Sequence, residues 1–244
     1  MEDKNKSFVV PGIVLAIGFI IAAMIISNTW RNVSRSNVNI TVTGSSQKDI
    51  RSDYAIWTGN FSAESKVMSD AYSSIKTQSD KVKNYLIGKG ITEDKIKFSS
   101  VRTTTQYVLN DKGYQTEQIS GYRLYMDVTV ESTDVDMIDK LSREASELIY
   151  QGIDFNSNPP EFLYTKIADL KVEMIGLASQ DAKVRAEQIA KSTGNEVGEV
   201  RSSKMGVIQI NAKNSTDVSD YGINDTSSME KTIRAVVNMT FSIK

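Results

Sequence analysis

The pattern of hydrophobic and polar positions divides this chain into one wholly apolar segment and a long remainder with periodic apolar residues. The apolar segment runs from Phe8 to Ile26 and contains nineteen residues without a charged or polar side chain. A helix of that length is about 28 Å long at ~1.5 Å per residue, close to the thickness of a bilayer's hydrocarbon core. Because the segment is apolar on every face, it is not an amphipathic surface helix. The pattern predicts a membrane-spanning helix.

The length of this segment favours a retained anchor over a cleaved signal peptide. The apolar part of a secretory signal has roughly 7–15 residues and is followed by a small-x-small cleavage site. This run is longer, and residues 27–32 (SNTWRN) contain no such site. Trp30 lies where an interfacial aromatic residue is expected. We predict a tail at residues 1–7, an anchor at 8–27, a linker at 28–37 and a folded domain at 38–244.

The charges that flank the anchor do not decide its orientation. Two basic residues precede it and two follow it (Lys4, Lys6, Arg31 and Arg35), so the positive-inside count is equal on both sides. A short N-terminal tail usually stays in the cytoplasm, which places residues 28–244 on the extracytoplasmic side. This placement is an expectation that rests on tail length alone.

The remainder of the chain has the periodicity of a mixed α+β domain. Two-residue alternation predicts strands at residues 38–43, 54–63, 119–131 and 233–243, with Lys95 to Val108 also extended. In the 119–131 strand, one apolar face is expected to be buried, and it contains Tyr122, Leu124, Met126, Val128 and Val130. Helical spacing predicts helices at about 65–88, from a cap at Thr133 or Asp134 to just before Gly152, and from about Phe162 to Ser192. Ile149 of the second helix and Leu177 and Ile189 of the third are among the residues expected to face inward. Residues 213–229 are polar and predict a long mobile loop. We therefore expect a largely antiparallel sheet with helices packed on one face.

Composition narrows the classes of function. The formal net charge is -1, which provides no basic surface for nucleic acid. The chain contains neither cysteine nor histidine. Their absence excludes disulfides, thiolate chemistry, Ser-His-Asp triads and the commonest transition-metal ligands. These exclusions predict a protein that is not an enzyme and that has no cofactor.

Two short motifs have the S-x-x-K spacing of penicillin-binding enzymes, in which the serine is a nucleophile. They are Ser45 with Lys48 and Ser73 with Lys76. The companion S-D-N and K-T-G motifs are absent, and a chain rich in serine and lysine produces such matches by chance. The alternative interpretation is a turn after a strand for the first motif and a solvated helix face for the second. A Ser-Lys hydrolase is therefore the less favoured function, and no catalytic residue is assigned.

Other polar and aromatic residues allow two interpretations each. Asp217, Asp220 and Asp225 in the predicted loop carry the oxygen ligands that Ca²⁺ prefers, but their spacing fits no EF-hand, and a solvated acidic loop is the favoured interpretation. Four aromatic residues mark either a ligand or subunit surface or ordinary sheet packing. They are Trp57, Tyr107, Tyr114 and Tyr125. We assign no metal ligand and no cofactor-binding residue.

Several segments resemble the SIMPL domain family. Residues Ile40–Gly44 (ITVTG) are similar to the family's opening strand, and Ile119–Arg123 (ISGYR) is similar to a later one. The most specific segment is Ala178–Ala190, which resembles the family's D-A-x-x-(R/K)-A-E-x-(I/L)-A pattern. It is followed, as in the family, by Gly194 and Val197–Val200. The resemblance extends from about residue 38 to 244.

The resemblance implies an envelope location and no defined chemistry. SIMPL proteins of bacteria are mostly periplasmic or envelope-associated, include an oxidative-stress defence protein, and in some cases assemble into rings with a channel-like centre. The family has no established active-site motif. This chain differs by its N-terminal apolar segment and by the polar loop at residues 213–229, and both argue against a freely soluble ring.

These observations lead to one main hypothesis and two alternatives. We expect a membrane-anchored, extracytoplasmic SIMPL-domain protein with a non-catalytic envelope or stress-related role, acting as a homo-oligomer or by binding a partner. The alternatives are the Ser-Lys hydrolase and a module that binds a small molecule or a cation.

Overall fold

The computed structural model of the chain describes residues 3–35 and 38–244. Helix α1 comprises Asp3–Arg35, and its window Pro11–Trp30 is long and apolar enough to cross a membrane. None of that window is buried in the folded chain, which is consistent with a membrane anchor or a signal sequence. The helix continues to Arg35, so most of the expected linker at residues 28–37 is helical. Residues 36 and 37 lie outside the described part of the chain.

The other elements alternate between strands and helices. In chain order they are β1 (Asn39–Arg51), β2 (Tyr54–Ser65), α2 (Met68–Gly88), β3 (Ile96–Phe98), β4 (Arg102–Leu109), β5 (Gln115–Ser132), α3 (Val135–Glu144), β6 (Asp154–Ser157), β7 (Glu161–Leu163), α4 (Ile167–Ser192), β8 (Val197–Met205), β9 (Gln209–Ala212), β10 (Ile223–Asn224) and β11 (Glu230–Ile243). Short 3-10 helices occupy Glu93–Lys95 and Ala145–Gln151.

The strands form two sheets, which confirms the predicted α+β class. One sheet has the order β3-β5-β2-β6, with β4 also paired to β5 and β7 to β2, and all of these pairs are antiparallel. The other has the order β1-β11-β9-β10, with β8 also paired to β11. Its β8-β11 pair is antiparallel and its β9-β10 pair is parallel.

The chain forms two compact units. The first consists of Met1–Gln47, Lys171–Ile208 and Arg234–Lys244, and the second of Lys48–Leu170 and Gln209–Ile233. The core of the second unit contains the alternating apolar faces of β2 and β5, as the sequence predicts for Leu124, Met126, Val128 and Val130. Helices α2 and α3 supply further buried residues, because each presents one apolar stripe.

In the first unit, α4 approaches β1 closely. Every fourth residue of this part of α4 is buried, and most of these residues are alanine (Met174, Ala178, Ala182, Ala186 and Ala190). A methyl group added to Gly44 of β1 would lie 2.2 Å from the Ala178 carbonyl oxygen and 2.4 Å from the Ala182 nitrogen. The small residues of α4 therefore allow it to pack closely on β1.

The start of α4 and the width of the buried helix faces differ from the prediction. Phe162 is not in the long helix, because it lies in β7, where it pairs with Ala55 of β2. The helix begins at Ile167. Three residues expected to be inward are exposed, namely Ile149 (55%), Leu177 (44%) and Ile189 (48%). The buried face of each helix is therefore narrower than the apolar stripe that helical spacing marks in the sequence.

The segment at residues 213–229 contains more structure than a long mobile loop. It includes β10, which pairs with β9. Two side-chain amides of β9 also bind its backbone: Gln209 Nε2 donates to the Ser219 carbonyl at 2.7 Å and Asn211 Nδ2 to the Asp217 carbonyl at 2.6 Å.

Candidate functional site

The most unusual residue of the second unit is a lysine buried on a strand. Lys231 of β11 is only 2% exposed. It is in phase with the buried Ile233, because side chains two residues apart on a strand lie on the same face. Lysine is almost never fully buried unless it is paired, so this position requires polar partners.

The ammonium group of Lys231 connects two other segments to β11. Its Nζ donates a hydrogen bond to the Phe162 carbonyl oxygen at 2.9 Å and another to the Asp225 carbonyl oxygen. Phe162 belongs to β7, and Asp225 directly follows β10. A lysine ammonium has three donors. Two are used here, and the third has no partner among the residues that the structure describes.

The carboxylate of Asp225 lies beside this lysine and is partly satisfied. One oxygen, Oδ1, accepts hydrogen bonds from the Ser227 backbone N–H at 2.9 Å and from its hydroxyl at 2.7 Å. The other, Oδ2, is buried and has no donor in hydrogen-bonding geometry within the described chain. Oδ2 has almost no solvent-accessible surface, and the Ser228 hydroxyl also acts on this carboxylate, so Oδ2 is not an acceptor that is open to a ligand.

Burial and charge act in opposite directions on these two groups. Burial lowers the pKa of Lys231 below its ordinary value, although the Asp225 charge opposes that change. For Asp225, burial raises the pKa, but the hydroxyls of Ser227 and Ser228 and the charge of Lys231 outweigh it and hold the pKa below its ordinary value. A buried ammonium group therefore lies near a half-buried carboxylate of opposite charge, and the ammonium binds the backbone carbonyl of Asp225.

A partly enclosed cavity of about 250 Å³ adjoins the pair. Its apolar wall is formed by Leu163 and Tyr164 after β7, Ile167 at the start of α4, and Ile210 of β9. A mostly apolar cavity with a few convergent polar groups is the usual form of a small-ligand site, although most such sites are larger, at roughly 300–1,000 Å³. All of the lining residues belong to the second unit.

Comparison with known proteins places the whole folded part in one family. The family model SIMPL, described as "Protein of unknown function (DUF541)", matches residues 40–241. The chain belongs to the SIMPL family. A comparison with curated proteins finds no match. The resemblance inferred from the opening strand and the alanine-rich helix is thus confirmed.

The two S-x-x-K motifs of this SIMPL protein lie on regular elements. Ser45 and Lys48 are exposed residues of β1, where a separation of three places side chains on opposite faces of a strand. Ser73 and Lys76 are exposed on α2, and the Ser73 hydroxyl donates to the Ser69 carbonyl one turn earlier at 2.9 Å. The second motif therefore lies on a solvated helix face, as its alternative interpretation states, whereas the first lies within β1 and not in a turn after a strand.

The predicted acidic and aromatic candidates separate in the fold. No group of three or more Asp or Glu residues within the described chain is arranged to hold a metal ion, so Asp217, Asp220 and Asp225 do not form a common carboxylate site. Trp57 is a core residue, and its indole N–H donates to the Ser157 hydroxyl at 3.0 Å. Tyr107 and Tyr114 are exposed.

Sequence reasoning missed Lys231, although one signal was present. The last strand has the pattern of an apolar residue at every second position, and Lys231 occupies the next position of that same series. A lysine in phase with a buried face indicates either the end of the strand or a buried, paired cation. Its partners at Phe162 and Asp225 are set by tertiary structure.

Proposed function

We propose that this SIMPL protein is a membrane-anchored module with a non-catalytic role in the cell envelope or in its response to stress. The proposal places the folded part on the extracytoplasmic side. The observation that carries it is the apolar window Pro11–Trp30 of α1, none of which is buried in the folded chain. A helix that is apolar on every face and unpacked in water is stable only when lipid or another apolar phase surrounds it.

The end of the β4-β5 hairpin supports action by association with a partner or with further copies of the chain. Strand β2 pairs with β5 only from Tyr122 onward, whereas β4 pairs with it back to Gln115. The hairpin end is therefore two-stranded, an arrangement that is marginally stable alone in water. It exposes apolar side chains on this narrow element (Tyr107, Leu109, Tyr114 and Ile119).

The unpaired edge of this hairpin end is suited to pairing with the edge of another sheet. One edge of β5 before Tyr122 has no neighbouring strand within the described sheet, so its backbone groups are available for strand addition. Exposed apolar residues that adjoin such an edge add a hydrophobic contribution to the association. These two features support the proposed role as a homo-oligomer or partner-binding module.

Membrane extraction and mass measurement test the proposal. The full-length protein should remain in the membrane fraction at alkaline pH, its intact mass should include residues 8–26, and protease added to intact cells or spheroplasts should digest residues 38–244. A mature chain that begins near residue 28 would refute the anchor.

Chemical crosslinking of the full-length protein in detergent tests the association. We expect crosslinked species above the monomer that Leu109→Glu reduces, because the exposed Leu109 lies at the hairpin end. Val172→Glu is the control, since Val172 is an exposed apolar residue of α4 outside the hairpin. A strictly monomeric protein would refute the self-association part.

The non-catalytic part of the proposal is tested against the Ser-Lys hydrolase. A fluorophosphonate or β-lactam probe should not label the protein. Labelling that is lost in Ser45→Ala would favour the hydrolase instead.

One observation favours a second candidate function, the binding of a small molecule. The cavity beside Lys231 combines apolar walls with several polar residues, among them Thr165, Asn224 and Thr226. A ligand bound there would raise the unfolding temperature of the full-length protein by mass action.

A further inference from the structure

We propose that one end of the first unit binds the headgroup of a zwitterionic phospholipid with a primary amine, in the same bilayer that α1 spans. This inference rests on the anchor of the proposed function and adds a lipid site to it. Three features support it: the short connection from α1 to this end of the unit, a cavity with unpaired charges of both signs, and apolar side chains exposed beside it.

Strand β1 begins at the end of the unit where α4 ends. The Ser46 hydroxyl of β1 donates to the Met174 carbonyl of α4 at 2.7 Å. Gly44, which is nearer to the start of β1, lies against Ala182, which is farther along α4. The two elements therefore run in opposite directions, and the start of β1 and the end of α4 lie at the same end of the unit.

Strands β8 and β11 bring two further segments to this end. The Ile243 N–H of β11 donates to the Val38 carbonyl, just before β1, at 3.0 Å. Glu196, just before β8, and Lys244 exchange two backbone hydrogen bonds at 3.2 and 2.8 Å. We call this end of the unit, which contains Val38, residues 187–197 and residues 243–244, the proximal end.

The connection from α1 holds the proximal end close to the bilayer. The apolar window ends at Trp30, and α1 continues to Arg35. At ~1.5 Å per helical residue and at most about 3.5 Å for each residue beyond the helix, Val38 lies within about 18 Å of the level of Trp30. Tryptophan at this position of a membrane helix lies among the lipid headgroups. The proximal end is therefore within reach of the headgroup layer.

An open cavity of about 570 Å³ lies at the proximal end. It is formed by the last turns of α4, the turn that follows and the start of β8 (Glu187, Lys191, Gly194, Asn195, Glu196 and Val197). Gly194 allows this turn, because its φ of 74° is in the left-handed region that favours glycine. The volume is within the range of roughly 300–1,000 Å³ for small-ligand sites, so it suffices for a headgroup whose acyl chains stay in the bilayer.

The cavity has one unpaired charge of each sign. Glu187 already forms an ion pair with Lys183, at 3.8 Å between Oε1 and Nζ. Lys191 and Glu196 are exposed and have no ion-pair partner within the described part of the chain. A zwitterionic headgroup supplies the complement of both, since its phosphate can accept from Lys191 and its ammonium can donate to Glu196.

The charges also distinguish this headgroup from the other common ones. An anionic headgroup such as phosphatidylglycerol would meet Glu187, Glu196 and the negative end of the α4 dipole. Phosphatidylcholine is zwitterionic, but its trimethylammonium group has no N–H to donate to a carboxylate. The primary ammonium of phosphatidylethanolamine has three N–H donors, as a lysine has.

Two exposed apolar side chains belong to the proximal end. Val38 is 55% exposed and Ile189 is 48% exposed. Ile189 lies between the cavity residues Glu187 and Lys191 in the chain, and its helical spacing predicts burial. Apolar side chains at a membrane surface are buried at the boundary of headgroups and acyl chains, and this burial strengthens binding. Contact with lipid thus accounts for the exposure of Ile189 in the folded chain.

Single cysteine residues can report the position of the proximal end, because the chain contains no cysteine. Ser192→Cys and Val172→Cys are each labelled with a small fluorophore in the full-length protein. The protein is then placed in nanodiscs that contain a lipid with a nitroxide on its headgroup. Both positions are exposed, and they lie about 30 Å apart along α4 at ~1.5 Å per residue. We expect stronger quenching at position 192 than at position 172.

Native mass spectrometry measures the lipid preference. The full-length protein is released from nanodiscs with equal amounts of phosphatidylethanolamine, phosphatidylcholine and phosphatidylglycerol. We expect the ethanolamine lipid to be retained about tenfold more often than either of the others, the ratio expected from one hydrogen bond to a charged group. Intact mass of the same samples shows whether residues 8–26 are present.

Two variants of the cavity separate the two charges. Glu196→Gln should remove the preference for the ethanolamine lipid over the choline lipid, because only the first donates to this carboxylate. Lys191→Met should lower the retention of both by about tenfold, because both carry the phosphate. Lys171→Met and Glu117→Gln are the controls, since both residues are exposed and lie outside the proximal end, and neither should change retention. All four side chains are exposed, and circular dichroism establishes that each variant is folded.

The outcomes separate the lipid site from the anchor. Stronger quenching at position 192, together with an ethanolamine preference that Glu196→Gln removes, would establish the proposal. Equal quenching at the two positions, equal retention of the three lipids or a preference for phosphatidylglycerol would overturn it. Such a result in a chain that retains residues 8–26 refutes the lipid site alone, whereas a mature chain that begins near residue 28 refutes the anchor.

Discussion

Replacing Gly44 with alanine should destabilise the first unit. The added methyl would lie 2.2 Å from the Ala178 carbonyl oxygen, 2.4 Å from the Ala182 nitrogen and 2.6 Å from the Ala182 Cβ. Ordinary contacts of this kind are about 3.5–4.0 Å, so β1 and α4 must separate by roughly 1 Å. Two of the three contacts are with helix backbone, which cannot rotate away as a side-chain end can.

The cost follows from overpacking and from the hydrogen bonds that the separation would lengthen. Overpacking of a close contact typically costs about 1–3 kcal/mol. The neighbouring Ser45 backbone N–H donates to Asp181 Oδ2 at 2.8 Å, and the Ser46 hydroxyl donates to the Met174 carbonyl at 2.7 Å. Each is worth about 1 kcal/mol, so we expect Gly44→Ala to lower the free energy of unfolding by about 3 kcal/mol.

Urea denaturation of the full-length protein in detergent, followed by far-ultraviolet circular dichroism, measures this change. Gly176→Ala is the matched control, because Gly176 is an exposed residue inside α4 with no atom within 4 Å of an added methyl. It should stabilise the helix by about 0.5–1 kcal/mol. Adding Ala182→Gly to Gly44→Ala should restore less than half of the loss, since the backbone contacts remain. A Gly44→Ala protein as stable as the unaltered one would refute the close packing of α4 on β1.

Three further predictions test the second unit. Asp134→Ala should lower the free energy of unfolding by about 1 kcal/mol in urea denaturation and Asp134→Asn should not, because the Asp134 side chain caps α3 by accepting from the Met137 N–H at 3.0 Å. Tyr54→Phe should raise the pKa of Glu131 toward its ordinary value in an NMR titration. The hydrogen bond from the Tyr54 hydroxyl lowers that pKa more than the hydrogen bond from Lys97 does. The stabilisation from Glu131 is present above its unfolded pKa and is lost as pH falls through the folded value, and Tyr54→Phe should narrow that acid-sensitive window. Leu148→Ala should cost about 2–5 kcal/mol in urea denaturation, whereas Ile149→Ala should change stability by less than about 0.5 kcal/mol, because only the first is buried. An unchanged Glu131 pKa, a destabilised Asp134→Asn, or equal losses at Leu148 and Ile149 would each contradict the corresponding contact.

The hairpin and the helix faces illustrate how far periodicity predicts this fold. The alternation along β5 correctly predicted its buried face, because each apolar residue on a pleated strand has only one face to occupy. The helical stripes were predicted too wide, so that Ile149 and Leu177 were expected to be inward and are exposed. Periodicity gives the direction of a face, but the width that is covered depends on what packs against it.

Phe162 shows the limit of a local signal. Its neighbours continue into a helical pattern, yet its own position is decided by pairing with β2, more than a hundred residues earlier in the chain. A strand of three residues has little periodicity of its own, so only its partner identifies it. The same reason explains why β10 was not distinguished from the polar segment that contains it.

Local chemistry in the sequence is enough to establish the apolar helix, the α+β class, the main strands and helices, and the absence of cysteine and histidine chemistry. These properties follow from composition and from the repeat of side chains along single elements. The hydrogen bonds from the buried Lys231 to the carbonyls of Phe162 and Asp225, and the adjoining cavity, are decided only by tertiary structure. The Lys231 and Phe162 residues are 69 positions apart, and a hydrogen bond over that distance leaves no periodic trace in the chain.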